Sequence, residues 1–410
     1  MDTQILISGA GPAGTAAALF LAKQGISCTL VDKATFPRDK ICGDALSGKA
    51  LEVFKKLDAS IIDELVKNST AIDSWGVTFV APNGEPLRIP FSKNKSALKN
   101  APGFIMKRID FDDFLFEKAK QNPLISIHEN TELRSFIRTQ NGIDARDKND
   151  NVFSSKLFIA ADGAHSAFAK QIAMLKTEPE HNCFGLRAYY KNVQNLDAEG
   201  FIELHFIHKA LPGYFWIFPL PNGEANVGIG IRADKLNSKN INLKKLFFEI
   251  VESEPQIKER FANAELQDNV KLYGLPLGSK KRKLSGDNYM LCGDAAMLID
   301  PFTGEGIGNA LLSGMYAAQQ AEICIQQNNF SSTILTDYDK RVYQRLWKEL
   351  QLSYSMQRLI NFPLLFNFVV KKANRNEALR EAIMSMFEDI DLRSKLKDPK
   401  FYFKILFSPK

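Results

Sequence analysis

At 410 residues, with 45% hydrophobic and 24% charged residues, the chain can bury a large core; a disordered or fibrous protein is excluded, and two closely packed domains are expected. The formal charge of +6 is modest and its basic residues are scattered, so nucleic-acid binding is unsupported. Five cysteines, an odd number without C-x-x-C spacing, argue against a disulfide framework or a zinc knuckle and for a reducing, cytoplasmic compartment, while the longest apolar runs fall short of a membrane span.

The first predicted element is a strand, Ile5 to Ser8, so close to the start that no signal peptide is expected ahead of it. It runs into Gly9-Ala10-Gly11-Pro12-Ala13-Gly14 and then a helix. Gly9 permits a tight turn, Gly11 lets backbone approach a pyrophosphate, and Gly14 lets the helix pack closely on the strand. The helix N-terminus faces the phosphates, and Asp32, closing a second strand from Ser27, can accept a ribose hydroxyl. This is a dinucleotide-binding pattern in its structural context.

A loop from Lys33 to Ala45 follows, then a helix over Ser47 to Leu57. Residues 72–91 read as strands around Asn83-Gly84, a two-residue hairpin signal. Phe111 to Lys120 is an amphipathic helix, with Phe111, Phe114, Leu115 and Ala119 on or near one face. Alternating segments flank Asn141-Gly142, and Lys156 to Ala160 is a short buried strand. The β character is strongest over 182–232, with a second hairpin at Asn222-Gly223. A strand from Tyr289 to Cys292 leads into Gly293-Asp294; a long helix starts between Gly304 and Gly308 and reaches Gln326, and 333–410 is helical in pattern. The chain thus returns to its first domain. Nucleotide-binding segments 1–70, 100–175 and 280–330 enclose substrate-domain segments 71–99 and 176–279, followed by a helical region, 331–410.

Two later segments bear on which dinucleotide is held. Asp162-Gly163-Ala164-His165-Ser166 ends a strand in D-G-x-x-S. Asp294 supplies an acceptor for a polyol hydroxyl, and the turn Gly304 to Gly308 offers backbone N–H groups at a helix start to a polar ring edge. Tyr214, Trp216 and Phe218 alternate on one face of a strand, either as domain core or as a cleft wall. His205 and His208 lie in an apparent strand, three apart and therefore on opposite faces, and read as structural or surface residues; no metal motif and no G-x-S-x-G elbow is present. Cys28 and Cys292 read as packing residues and His165 as structural. Lys280-Lys281-Arg282-Lys283 reads as a solvated turn, with contact to acidic lipid or an acidic electron carrier as the alternative. The apolar run Leu359 to Val370 reads either as a core helix pair or as a surface touching a bilayer.

Taken in this order, the three glycine-bearing motifs resemble the flavoprotein group of p-hydroxybenzoate hydroxylase-type monooxygenases, flavin-dependent halogenases and geranylgeranyl reductases. The resemblance implies FAD and an α/β fold: a Rossmann-like FAD-binding domain with an inserted antiparallel-sheet substrate domain and a helical C-terminus. Three segments are similar to the geranylgeranyl reductase branch: Pro37 to Ala45 to its K-x-C-G, Gly293 to Ile307 to its GDAAG…PxxGEGI, and Pro212 to Pro219 to its P-x-x-Y-x-W-x-F-P. Met297 departs from the glycine usual in reductases and from the histidine of many hydroxylases, and Tyr214 and Phe218 depart from the halogenase W-x-W-x-I-P.

By that resemblance, FAD is held by Gly9, Gly11, Pro12, Ala13, Gly14, Asp32, Lys33, Arg38, Cys42, Gly43, Arg108, Asp162, Gly163, Ser166, Gly293, Asp294, Pro301, Gly304, Glu305, Gly306 and Ile307. Tyr214, Trp216 and Phe218 face the substrate, and Cys42 is the candidate proton donor, with bound water as the alternative. The implied reaction reduces carbon–carbon double bonds of an isoprenoid or other lipid-like substrate. An aromatic or polyketide hydroxylase is the main alternative, ahead of a halogenase or a non-catalytic flavin- or lipid-binding protein. With no second G-x-G-x-x-G, electrons are expected from NAD(P)H visiting transiently or from a reduced ferredoxin-like protein. A cytoplasmic monomer or weak oligomer is expected, with peripheral contact to the inner face of a membrane as the alternative.

Overall fold

Backbone contact at the first turn sets the geometry of everything around it. Gly9 holds φ +97°, and a Cβ there would lie 2.4 Å from the Ala161 carbonyl oxygen; one at Gly14 would lie 1.8 Å from that of Gly9. Only glycine lets the helix Pro12–Lys23 sit this close to the strand Asp2–Ser8. The computed structural model describes residues 1–388.

That strand lies near the middle of an eight-stranded sheet. Its backbone order is Ser285–Gly286, Tyr289–Leu291, Val152–Ala160, Asp2–Ser8, Cys28–Val31, Ile125–His128. The pairings from Tyr289–Leu291 to Ile125–His128 are all parallel, with Ile7 opposite both Ile159 and Leu30. Ile5, Leu6 and Ile7 are fully buried, as expected for a parallel strand covered on both faces. An antiparallel ribbon, Leu133–Arg138 with Ile143–Asp147, extends from Val152–Ala160. The helix Pro12–Lys23 packs against Ile307–Gln326, where a Cβ on Gly314 would lie 2.2 Å from the Ala13 carbonyl oxygen.

A second eight-stranded sheet runs Glu265–Leu266, Asn182–Lys191, Ala225–Arg232, Tyr214–Pro219, Ile202–His205, Gly76–Val80, Pro86–Pro90, with Lys271–Pro276 also on Asn182–Lys191. Its pairings are antiparallel except that of Ile202–His205 with Gly76–Val80. A small sheet of Ala45–Leu46, Gly103–Met106 and Ala71–Ser74 completes the β structure. Helices Ser332–Leu359, Pro363–Arg375 and Glu377–Glu388 follow; the rest of the predicted helical region lies outside the described residues. Among the described residues, no helix is long and apolar enough to cross a membrane.

Both predicted hairpins form, but with three-residue loops instead of two. Ala81 N–H donates to the Glu85 carbonyl and Leu220 N–H to that of Glu224, enclosing Pro-Asn-Gly in each case. Proline fixes the first φ of the turn, and Gly84 (φ +86°) and Gly223 (φ +72°) supply the left-handed residue that closes it. The two histidines are structural and surface residues as expected, but only one of them lies in the strand. His205 ends its strand with Nε2 2.8 Å from Glu203 Oε2, which Arg260 also binds, whereas His208 lies in an exposed 3₁₀ turn.

Gly14→Ala should therefore cost about 3 kcal/mol or more in urea denaturation, because a backbone atom blocks the new methyl. Gly25→Ala, where no atom lies within 4 Å, should cost only the left-handed backbone penalty of about 1–2 kcal/mol. Equal losses would show that the close approach is not what Gly14 provides.

Candidate active site

A cavity of about 1100 Å³ lies where both large sheets meet the C-terminal helices. That is at or above the upper end for a single small ligand, leaving room for a cofactor and a second molecule.

One arm begins at the glycine turn, lined by Gly9, Gly11, Pro12 and Ala13. Asp32 accepts from Ala10 N–H (2.7 Å) and Ala34 N–H (2.8 Å), which fixes its carboxylate at the cavity edge beside Lys33. Arg38 Nη2 is 3.5 Å from where a Gly11 Cβ would be, so its charge stands over the turn; Asp112, 2.6 Å from Nη1, holds it there. Lys40 Nζ stands 3.6 Å from Asp294 and over the Tyr273 ring. Burial pushes the Asp162 carboxyl up to about 6, against the Ser166 hydroxyl and backbone N–H groups that favour its charge. Its Oδ1 is buried without a partner. A glycine cradle, a cation over the turn and an orphaned buried acceptor fit the pyrophosphate and hydroxyls of a dinucleotide.

The loop 39–45 forms the next wall. Cys42 is half-buried and faces Arg108, a buried guanidinium held by Asp112 through Nε–Oδ1 (2.6 Å) and Nη2–Oδ2 (2.8 Å). Burial opposes the Arg108 charge, but Asp112 and then Cys42 outweigh it and hold its pKa above the usual range. Asp44, fully buried at φ +71°, accepts from Tyr189 Oη and Asn226 Nδ2, both at 2.7 Å. Burial raises its carboxyl to about 6, although both hydrogen bonds and the Arg187 and Arg108 charges pull the other way.

Strand Tyr214–Pro219 supplies the facing wall, and each of its three alternating aromatics is tied to a loop opposite. Tyr214 Oη donates to the Thr303 carbonyl (2.6 Å) at the turn before the helix Ile307–Gln326. Trp216 Nε1 donates to Asn226 Oδ1 (2.9 Å), and Asn226 Nδ2 donates to the Cys42 carbonyl (2.7 Å). Phe218 covers Gly43, where a Cβ would come within 2.7 Å of the ring. Beyond this wall an apolar arm continues between Val77, Phe79, Ile202 and Leu204 of the second sheet, Phe91 and Phe302, and Leu352, Met356 and Ile383 of the C-terminal helices.

The structure brings most of the predicted site residues to this cavity, including Arg108, Gly163, Gly304, Gly306 and Ile307. Four do not line it. Gly14 packs on Gly9, and a Cβ on Gly293 (φ +58°) would lie 3.1 Å from that of Ala310. Ser166 caps the helix Ala167–Gln171 by accepting from Ala169 N–H, and the Pro301 carbonyl accepts from Gln357 Nε2. Glu305 reaches the cavity, but its carboxylate is engaged by Ser47 Oγ (2.8 Å), Gly308 N–H (2.7 Å) and Lys49 (3.5 Å). Met297 takes the left-handed φ of +55° that glycine favours. Sequence reasoning passed over Asp44, Tyr189 and Asn226. A lone amide in the apolar strand Ala225–Arg232, and an acid directly after Cys-Gly, were the available signals.

Comparison with known proteins follows the same lines. Residues 2–352 match the family described as FAD binding domain. The digeranylgeranylglycerophospholipid reductase of Thermoplasma acidophilum is 30% identical over 359 residues, covering 84% of each chain. The chain belongs to the geranylgeranyl reductase family of FAD-dependent oxidoreductases. The menaquinone reductase of Mycolicibacterium smegmatis is also 30% identical to this family member, over 77% of this chain and 75% of that one. Among solved structures, a geranylgeranyl bacteriochlorophyll reductase-like protein from Thermoplasma acidophilum superposes with a TM-score of 0.77 at 24% identity, covering 99% of this chain and 96% of that one. FAD is the cofactor, and the Rossmann-like FAD-binding fold with a helical C-terminus is that of the family.

A hydroxyl donated to Asp162 prefers the ionised carboxylate. FAD affinity should therefore be flat above neutral pH and weaken as pH falls through about 6, approaching ten-fold per unit below it. Titration of apoprotein with FAD by flavin fluorescence should show this in the wild type and a flattened profile in Asp162→Asn; an unchanged profile in the variant would assign the pH dependence elsewhere.

Proposed function

We propose that this oxidoreductase saturates carbon–carbon double bonds of an isoprenoid or similarly lipid-like chain. One observation carries the reading: the cavity lined by the glycine turn, Cys42 and Trp216 is also walled by Val77, Phe79, Ile202, Leu204 and Met356, which pack with Trp216 in one apolar cluster. A long apolar chain gains by burial there, whereas a small polar aromatic would leave most of that wall unsatisfied. Relatives named for reduction of a geranylgeranyl lipid and of menaquinone support it.

When bound and reduced, FAD supplies the hydride equivalent that one alkene carbon requires. The protein's residues supply the rest. Trp216 and Phe218 form a fixed apolar wall beside the loop 39–45 along which the chain lies, and the apolar arm keeps water from the reacting carbons. Cys42 gives the other carbon its proton, with bound water as the alternative donor; its position on the cavity wall supports this role. Arg108, set against the thiol, then neutralises the thiolate left behind. Either NAD(P)H visiting the cavity or a reduced ferredoxin-like protein restores the electrons. All five cysteines are free, which supports work in the cytoplasm.

Reduced enzyme incubated anaerobically with a geranylgeranyl lipid should yield products heavier by two hydrogens per double bond. Product forming only with oxygen, and heavier by one oxygen atom, would establish the hydroxylase alternative. Cys42→Ser should keep its flavin and lose about 10²-fold or more in turnover if the thiol donates the proton; unchanged turnover would assign that step to water.

A further inference from the structure

We infer that the corner between the last long helices is a docking surface for an anionic lipid bilayer. Eleven large apolar side chains are exposed among the described residues, and four fall in this corner: Phe362 at 63%, Leu364 at 85%, Leu365 at 46% and Phe368 at 48%. The helix Pro363–Arg375 is not loose. Its inner face buries Phe366, Val370 and Ala373, with the Phe366 ring 4.8 Å from that of Phe206. Asn374 Nδ2 donates to the Pro86 carbonyl at 2.9 Å. A fixed inner face turns Leu364, Leu365 and Phe368, at i, i+1 and i+4 on the outer side of the helix, toward solvent.

Charge selects the occupant. Between Glu349 and Glu377 the sequence has no acidic residue, while Arg358, Lys371, Lys372 and Arg375 flank the apolar cluster. An apolar stripe continued by cations along one helix is the pattern that lies in a bilayer interface, with side chains among the acyl groups and bases at anionic headgroups. Two copies meeting on this face would instead bring like charges together. The surface also adjoins the cleft, because Leu352 and Met356, on the helix leading into this corner, line the apolar arm.

The test uses full-length, FAD-loaded protein and flotation with vesicles of phosphatidylcholine alone or mixed with phosphatidylglycerol, free of any substrate lipid. It is therefore independent of the reaction proposed above. The wild type should float with the mixed vesicles, less with added salt, and weakly with phosphatidylcholine alone. Leu364→Ser/Phe368→Ser should lower partitioning on the order of ten-fold or more, and Lys371→Glu/Arg375→Glu should abolish the preference for the anionic vesicles. Both variants should keep wild-type flavin content and melting temperature, since these side chains are exposed. Wild-type flotation by the serine variant, no flotation of the wild type, or a wild-type dimer that the serine variant converts to monomer would each overturn the inference.

Discussion

One side-chain amide joins the two halves of the site. Asn226 accepts the Trp216 indole N–H and donates to both the Cys42 carbonyl and the Asp44 carboxylate. The cleft wall and the cofactor-side loop are thereby held at one separation. All three contacts are buried or half-buried, where an unmade hydrogen bond costs about 1–3 kcal/mol, so the arrangement is stiff. Tyr214 on Thr303 and Phe218 on Gly43 fasten the same strand to two further points, so the three aromatics act as positioned walls.

Buried charge reinforces that frame and also bears on the chemistry. Asp112 serves Arg108 and Arg38 together, so one carboxylate fixes a cation at the thiol and another above the glycine turn. Burying these groups would be costly singly, but the bidentate geometry and shared partner offset the desolvation. Asp44 is different. Its nearest partners are neutral donors, Tyr189 and Asn226, and burial leaves its carboxyl raised to about 6. Such a group contributes most to stability when protonated: its share is present below the unfolded carboxylate range and falls as pH rises toward 6.

Much of the cofactor arm was legible because it depends on backbone. Gly9 and Gly14 are required where a Cβ would strike a carbonyl, and Tyr214, Trp216 and Phe218 share a face because strand side chains alternate. Short-range pattern also gave both hairpins, although proline lengthened each loop by a residue. The apolar arm was not legible. It is assembled from Val77, Ile202 and Met356, distant in sequence and each an ordinary core residue by local pattern. The polar brace at the start of the helix Ile307–Gln326 is equally nonlocal: Lys49 meets Glu305, Asn309 and Glu349, and Arg345 joins Glu349 to Glu52. Ser166 shows the converse, since a residue inside a motif caps the helix Ala167–Gln171 and does not itself line the cavity.

If Asn226 sets the distance between substrate and cofactor, removing its amide should damage catalysis more than binding. Steady-state kinetics of Asn226→Leu, on protein confirmed to hold stoichiometric FAD, tests this directly. The expected result is a kcat lower by about 10²-fold with KM little changed, as for a reacting pair displaced by about an ångström. A flavin-replete variant with wild-type kcat would contradict the account, because the two walls would then be held in register without that bridge.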